Sequence, residues 1–303
     1  MSDPLVAGRF ELGPSIGAGG MGAVYAAVDR MTGEKVAVKV LRGQSASDRE
    51  RFAREARVLS ELRHPGVVRY IAHGSAMDEA PYLAMEWLDG EDLGQRLQRE
   101  GLSYSQTVKM ITRVADTLSA AHARGIIHRD LKPSNLYLPG GDIERVKLLD
   151  FGIARVGAAV THGTKHGSIL GTPAYMSPEQ ARGDRALDAR TDVFALGCVM
   201  FECLTGQPPF VGEHVLAVLA KILLEESPHA REVRASIPEP LDRLVARMMN
   251  KSADLRPESA AAVATELGSM AVSDEMLGSP PPAEAVASIT TFEQRLVSVV
   301  LIG

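Results

Sequence analysis

The run His128-Arg129-Asp130-Leu131-Lys132-Pro133-Ser134-Asn135 and the later Asp150-Phe151-Gly152 hold four groups of complementary chemistry. Asp130 is a carboxylate able to orient a hydroxyl and accept its proton, for which modest basicity suffices. Lys132, two residues on, suits a phosphate anion. Asn135 and Asp150 offer hard oxygen donors, which favour Mg²⁺ or Mn²⁺ over a soft metal. A phosphoryl-transfer site needs little else, because the protein's task there is positioning and charge neutralisation. Each residue alone is a common surface-turn residue, whereas the set at this spacing is hard to ascribe to chance.

These groups need elements to position them. Gly17-Ala18-Gly19-Gly20-Met21-Gly22-Ala23-Val24 has the spacing G-x-G-x-x-G-x-V, in which backbone amides can approach phosphate oxygens unobstructed. A dinucleotide-binding turn uses the same string but leads into a helix. Here the string lies between two strand patterns, Phe10-Glu11-Leu12 and Ala23 to Val28, and a third strand, Lys35 to Val40, carries Lys39. Between Asp48 and Arg63, Phe52, Ala56, Leu59 and Leu62 recur at spacings of three and four, one face of a helix. Short strands are expected around Val67 to Ala72 and Tyr82 to Glu86. From Asp92 helical patterns dominate, so the expected class is α+β with two unequal lobes.

Composition narrows the function classes. The chain has 303 residues and is 45% hydrophobic, sufficient for a large core. A net charge of −5 without a basic block argues against nucleic-acid and anionic-membrane partners. The longest apolar run, Val193 to Leu204, contains Glu202 and reads as a buried helix, not a membrane span. Cys198 and Cys203 lie in that one segment, which fits reduced thiols and a cytoplasmic protein. No signal-peptide pattern opens the chain.

The catalytic run, the glycine loop and Lys39 resemble those of eukaryotic-like (Hanks-type) Ser/Thr protein kinases of bacteria. Gly171-Thr172-Pro173-Ala174-Tyr175-Met176-Ser177-Pro178-Glu179, Asp192 to Gly197, Leu204 to Phe210 and Arg256-Pro257 extend the likeness over most of the chain. The resemblance implies a two-lobed kinase fold: a small β-rich N-lobe with one regulatory helix and a larger, mainly helical C-lobe. The expected divisions are an extension (1–8), the kinase domain (9–270), a Pro/Ala linker (271–291) and a final strand (292–303). Within the domain, the N-lobe is 9–85, the hinge 86–91 and the C-lobe 92–270. The final strand either docks on the kinase or opens a further domain of a larger protein.

The resemblance also implies roles. ATP would sit under Gly17, Gly19 and Gly22, with Lys39 on its α/β-phosphates and Glu55 as the partner of Lys39. Adenine would lie against Val24 and Ala37 near Met85, hydrogen-bonded by the backbone at Glu86 and Leu88, with Asp92 reaching the ribose. Asp130 would be the base, Lys132 would neutralise the γ-phosphate, and Asn135 and Asp150 would hold Mg²⁺, with Mn²⁺ as the alternative. His128 would be structural, stacked with Phe151, Leu59 and Tyr70. Glu179 would pair with Arg256, and Asp192 would brace the catalytic loop. Two positions depart from the family pattern: Tyr137 at the pocket floor, usually aliphatic, and Ser177, often Ala.

Lys132 and Gly171-Thr172-Pro173 point to Ser/Thr acceptors in protein substrates. Arg129 would pair with phosphate in the loop between Phe151 and Glu179, where Thr164, then Ser168 and Thr161, are candidate acceptors. A transient homodimer would serve phosphorylation in trans. Two rivals stand beside this reading. A non-catalytic nucleotide-binding relative would ordinarily lack Lys39, Asp130, Asn135 or Asp150. A small-molecule phosphotransferase of similar fold would lack the Gly-Thr-Pro to Ser-Pro-Glu segment.

Overall fold

Period-two alternation shapes the N-terminal half. In Lys35-Val36-Ala37-Val38-Lys39, Val36 and Val38 are buried on one face of the strand, while Ala37 and Lys39 lie on the other. The structure, a computed structural model, describes residues 5–19, 22–41, 46–76, 80–151, 173–184 and 186–270. Six strands make one antiparallel sheet: β1 (Leu5–Val6), β2 (Phe10–Gly19), β3 (Gly22–Asp29), β4 (Lys35–Leu41), β5 (Tyr70–Ser75) and β6 (Pro81–Glu86). Their spatial order is β1-β2-β3-β4-β6-β5. Helix α1 (Ala46–Glu61) joins β4 to β5 and packs on β5 and β6 through Phe52, Ala56 and Leu59.

Two details differ from the sequence reading. Leu5 and Val6, within the expected N-terminal extension, form an edge strand opposite Glu11 and Phe10. Two residues have no readable period, and the pairing alone makes them a strand. The strand expected from Val67 begins only at Tyr70, because Val67 bridges to Leu148 of the other lobe instead.

The second half continues with β7 (Gly90–Asp92), α2 (Leu93–Arg99), α3 (Tyr104–His122), β8 (Leu136–Pro139) and β9 (Lys147–Leu148). It closes with α4 (Pro178–Arg182), α5 (Arg190–Thr205), α6 (Val215–Leu224), α7 (Ala230–Val233), α8 (Glu239–Met248) and α9 (Ala260–Ser269). Helix α5 is apolar on nearly every side and is buried accordingly, packed against α3 and α8. Ser103 starts α3 with a capping box closed by Gln106. Val6, Phe10, Leu12, Val36, Val38 and Ala84 form a core on one face of the N-lobe sheet. The other core is continuous from α1 through Leu83 and Met85 to α5, so both lobes share it. The architecture is the expected α+β, two-lobed one, with a β-rich N-lobe carrying one helix and a mainly helical C-lobe.

Candidate active site

The three-stranded sheet β7-β8-β9 brings the candidate metal ligands together. Leu136 pairs with Leu148, so Asn135, one residue before β8, faces Leu149, whose amide donates to the Asn135 carbonyl at 2.9 Å. Asp150 follows directly. Its backbone is left-handed (φ 46°), a conformation unusual for a residue with a Cβ and common at sites that re-aim a side chain. The Asp150 carboxylate meets the Lys39 ammonium at 2.8 Å.

The catalytic loop hangs from one buried carboxylate. Asp192, at the start of α5, accepts the His128 and Arg129 amides at 2.7 and 2.8 Å and the His122 ring Nε2–H at 2.8 Å. Arg129 is held left-handed (φ 63°), and its carbonyl accepts the side-chain Nε2–H of Gln180 on α4 at 2.8 Å. Both ring nitrogens of His128 are engaged: Nε2–H donates to the Leu149 carbonyl at 2.8 Å and Nδ1 accepts the Asp130 amide at 3.3 Å. The ring is fully buried, 4.7 Å from that of Phe151, in the core that includes Leu59 and Tyr70. It is a packed structural histidine, as expected. Burial, then the nearby Asp150 charge, pushes the Tyr70 hydroxyl pKa up.

Asp130 remains partly accessible. Asn135 Nδ2 donates to its carbonyl at 2.6 Å and its carboxylate at 3.1 Å, and Lys132 Nζ lies 3.6 Å from that carboxylate. Two cations and a side-chain amide thus attend two acids. This oxygen-rich, cation-flanked set fits a divalent metal and a polyphosphate. Among the described residues no three His, Cys, Asp or Glu side chains are grouped so as to hold a metal ion, and the set here has two acids and the Asn135 side-chain amide.

The sheet register arranges the nucleotide candidates. Val24 lies opposite Lys39, and Ala37 opposite Met85. Gly17 and Gly19 end β2 and Gly22 opens β3, at φ 152°, where a Cβ would collide with the Val40 carbonyl. Gly20 and Met21 lie outside the described residues. Glu55 sits half-buried on α1 beside the buried Ala56. Asp92 caps α2, its Oδ1 accepting the Gln95 amide at 3.0 Å. Burial raises its pKa, opposed by that amide. Thr161, Thr164, Ser168 and residues 271–303 fall outside the described residues.

Glu179 and Arg256 form the expected pair, with two hydrogen bonds at 2.7 and 2.8 Å. Burial pushes the Glu179 carboxyl up, but the hydrogen bonds and charge of Arg256 more than offset this, leaving it below the usual range. Ser177 is buried and caps α4, accepting the Gln180 amide at 3.3 Å. Sequence reasoning missed several supports: His122 on Asp192, Gln180 on Arg129, Lys147 on Glu86 at 2.7 Å, and Tyr137 on the Leu88 carbonyl at 3.2 Å. It also missed Tyr175, whose hydroxyl donates to half-buried Glu202 at 2.6 Å.

This combination of lobes, glycine strands and braced loop defines a kinase-type fold, and comparison with known proteins agrees. Residues 10–267 match the protein kinase domain, and the chain belongs to that family. It is 38% identical over 271 residues to serine/threonine-protein kinase PknB of Mycobacterium leprae, covering 87% of this chain and 43% of that protein. It is 38% identical over 294 residues to serine/threonine-protein kinase pkn3 of Myxococcus xanthus, covering 93% of this chain and 54% of the relative. The chain therefore spans about half, or less, of the length of these relatives. A crystal structure of Rad53 1-466 with AMP-PNP is similar at TM-score 0.71 and 25% identity, covering 85% of this chain and 64% of that one. Family membership implies ATP, a divalent metal ion and protein substrates. Among the described residues no helix is long and apolar enough to cross a membrane.

Proposed function

We propose that this chain is an active Ser/Thr protein kinase that transfers the γ-phosphoryl group of ATP to Ser and Thr hydroxyls of proteins. What supports the reading most is that Asn135 and Lys132 meet Asp130, Lys39 meets Asp150, and the β8–β9 pairing sets Asn135 beside Leu149 and Asp150. Asp130 orients the acceptor hydroxyl and takes its proton as the new O–P bond forms and the bond to the β-phosphate breaks, releasing ADP. Lys132 offsets charge on the γ-phosphoryl oxygens, and Lys39 holds the α/β-phosphates with Glu55 as its partner. Asn135 and Asp150 would hold Mg²⁺, or Mn²⁺ in its place, which would supply charge neutralisation for the phosphates. Adenine packs against Val24, Ala37 and Met85 over Tyr137, with the Glu86 and Leu88 backbone at its edge and Asp92 toward the ribose. We further propose that the kinase modifies its own loop in trans, first at Thr164 and then at Ser168 or Thr161. The buried, unpaired Cys198 and Cys203 suit a cytoplasmic setting.

The test is phosphosite mass spectrometry of purified protein after incubation with ATP and Mg²⁺, beside the Asp130→Asn variant. Loop phosphate in the wild type alone is the expected result. An unmodified wild type that also fails to phosphorylate a generic Ser/Thr protein substrate would remove the proposal.

A further inference from the structure

We propose that Tyr137 sets base selectivity in the nucleotide pocket by occupying the Leu88 carbonyl, so that bases carrying a hydrogen-bond donor at position 2 are disfavoured. The inference rests on the adenine placement proposed above. Tyr137 stands on β8 opposite Asp92 of β7, and its hydroxyl donates to the Leu88 carbonyl at 3.2 Å across 49 residues of sequence. Burial, then the charges of Asp89, Asp92 and Glu91, push its pKa above that of an ordinary tyrosine, so the hydroxyl stays a donor at neutral pH.

The hinge around that carbonyl has little freedom to rearrange. Glu86 accepts Lys147 Nζ at 2.7 Å and the Arg69 amide at 2.8 Å. The Trp87 indole donates to Asp89 at 2.8 Å, and Lys35 Nζ lies 3.6 Å from the centre of the Trp87 ring. Each of three successive hinge residues is thus tied to a group outside residues 86–88.

Adenine presents an N6–H donor, the N1 acceptor and C2–H in that order. If the Glu86 carbonyl takes the first and the Leu88 amide serves the second, C2 faces the Leu88 carbonyl, because the N–H and C=O of one extended residue point to the same side. A hydrogen there is tolerated. An amino group there must share the carbonyl oxygen with the Tyr137 hydroxyl, which already holds one of its two lone pairs, and so gains less than it would from a free acceptor.

The experiment measures dissociation constants for ATP and for the triphosphate of 2,6-diaminopurine riboside, using the whole chain and its Tyr137→Phe variant. Wild type is expected to prefer ATP by on the order of tenfold, and the variant to lose most of that preference. Equal binding of the two nucleotides by wild type, or an unchanged ratio in the variant, overturns the proposal while leaving the pocket reading intact. Failure of wild type to bind either nucleotide overturns the pocket reading itself.

Discussion

Asp130 and Asp192 carry the same carboxylate and are given opposite tasks by their surroundings. Asp192 has no exposed surface and accepts from three donors, so it fixes backbone and lies out of reach of a substrate hydroxyl. Asp130 is partly open, and Asn135 and Lys132 hold its carboxylate without enclosing it. Asp130→Asn keeps the shape and removes the basic oxygen. Phosphoryl transfer should fall by on the order of 10²–10⁴-fold, while nucleotide affinity stays near wild type. A kinase assay beside nucleotide titration checks this, and near wild-type turnover would reassign the base. Ser177 offers a second test at this scale, because its hydroxyl caps α4. Ser177→Ala should cost roughly 1 kcal/mol in urea unfolding. No loss would mean that this cap adds nothing to stability.

Helix α5 shows how an element can be legible while its attachments are not. Its apolar run was plain in the sequence, and Asp192 and Glu179 followed from the resemblance, because a contiguous string encodes its own spacing. The pairs Tyr137–Leu88, Gln180–Arg129, Lys147–Glu86 and His122–Asp192 are separated by 49, 51, 61 and 70 residues, and no local pattern announces them. Strands β8 and β9 were missed for a related reason: four and two residues hold no period, and pairing alone defines them. The same attachments set the energetics of the element. The Arg256 guanidinium is fully enclosed beside Glu179 and also donates to the Arg190 carbonyl at the start of α5 at 2.9 Å. Arg256→Met should lower stability by about 3–5 kcal/mol, because it strands a mostly buried carboxylate. Adding Glu179→Gln should restore part of that loss. A double variant no more stable than Arg256→Met alone in urea would show that the pair's charge is not what matters. Gly197 tests packing on the same helix. A Cβ there would stand 2.8 Å from Met248 Cβ and 3.0 Å from Met249 Cγ, so Gly197→Ala should cost about 1–3 kcal/mol by forcing α8 away.

Across the whole molecule, two half-buried carboxylates give stability opposite slopes with pH. Glu202 lies half-buried on α5, and the burial of its carboxyl pushes its pKa from 4.5 up to about 7, partly opposed by the Tyr175 hydroxyl. A raised folded-state pKa means that the folded protein holds the proton longer than the unfolded chain. Its stabilising contribution is therefore complete below pH 4.5 and is lost as pH rises through about 7. Glu179 runs the other way: its pKa is lowered, so its contribution is present above the ordinary carboxylate range and is lost as pH falls through the folded value. The two together favour a stability maximum on the acid side of neutrality. The Glu202 share can be isolated, because Glu202→Gln keeps an acceptor for Tyr175 and removes the ionisation, while every other titrating group is common to both proteins. Urea midpoints at pH 5, 6, 7 and 8 should show wild type losing stability relative to the variant by at most about 3 kcal/mol, with most of the change below pH 7. Parallel curves would mean that Glu202 has the same pKa folded and unfolded. The readout reaches the cleft as well, because Tyr175 lies two residues before Ser177, and Gln180 of the helix that Ser177 caps holds the Arg129 carbonyl beside Asp130.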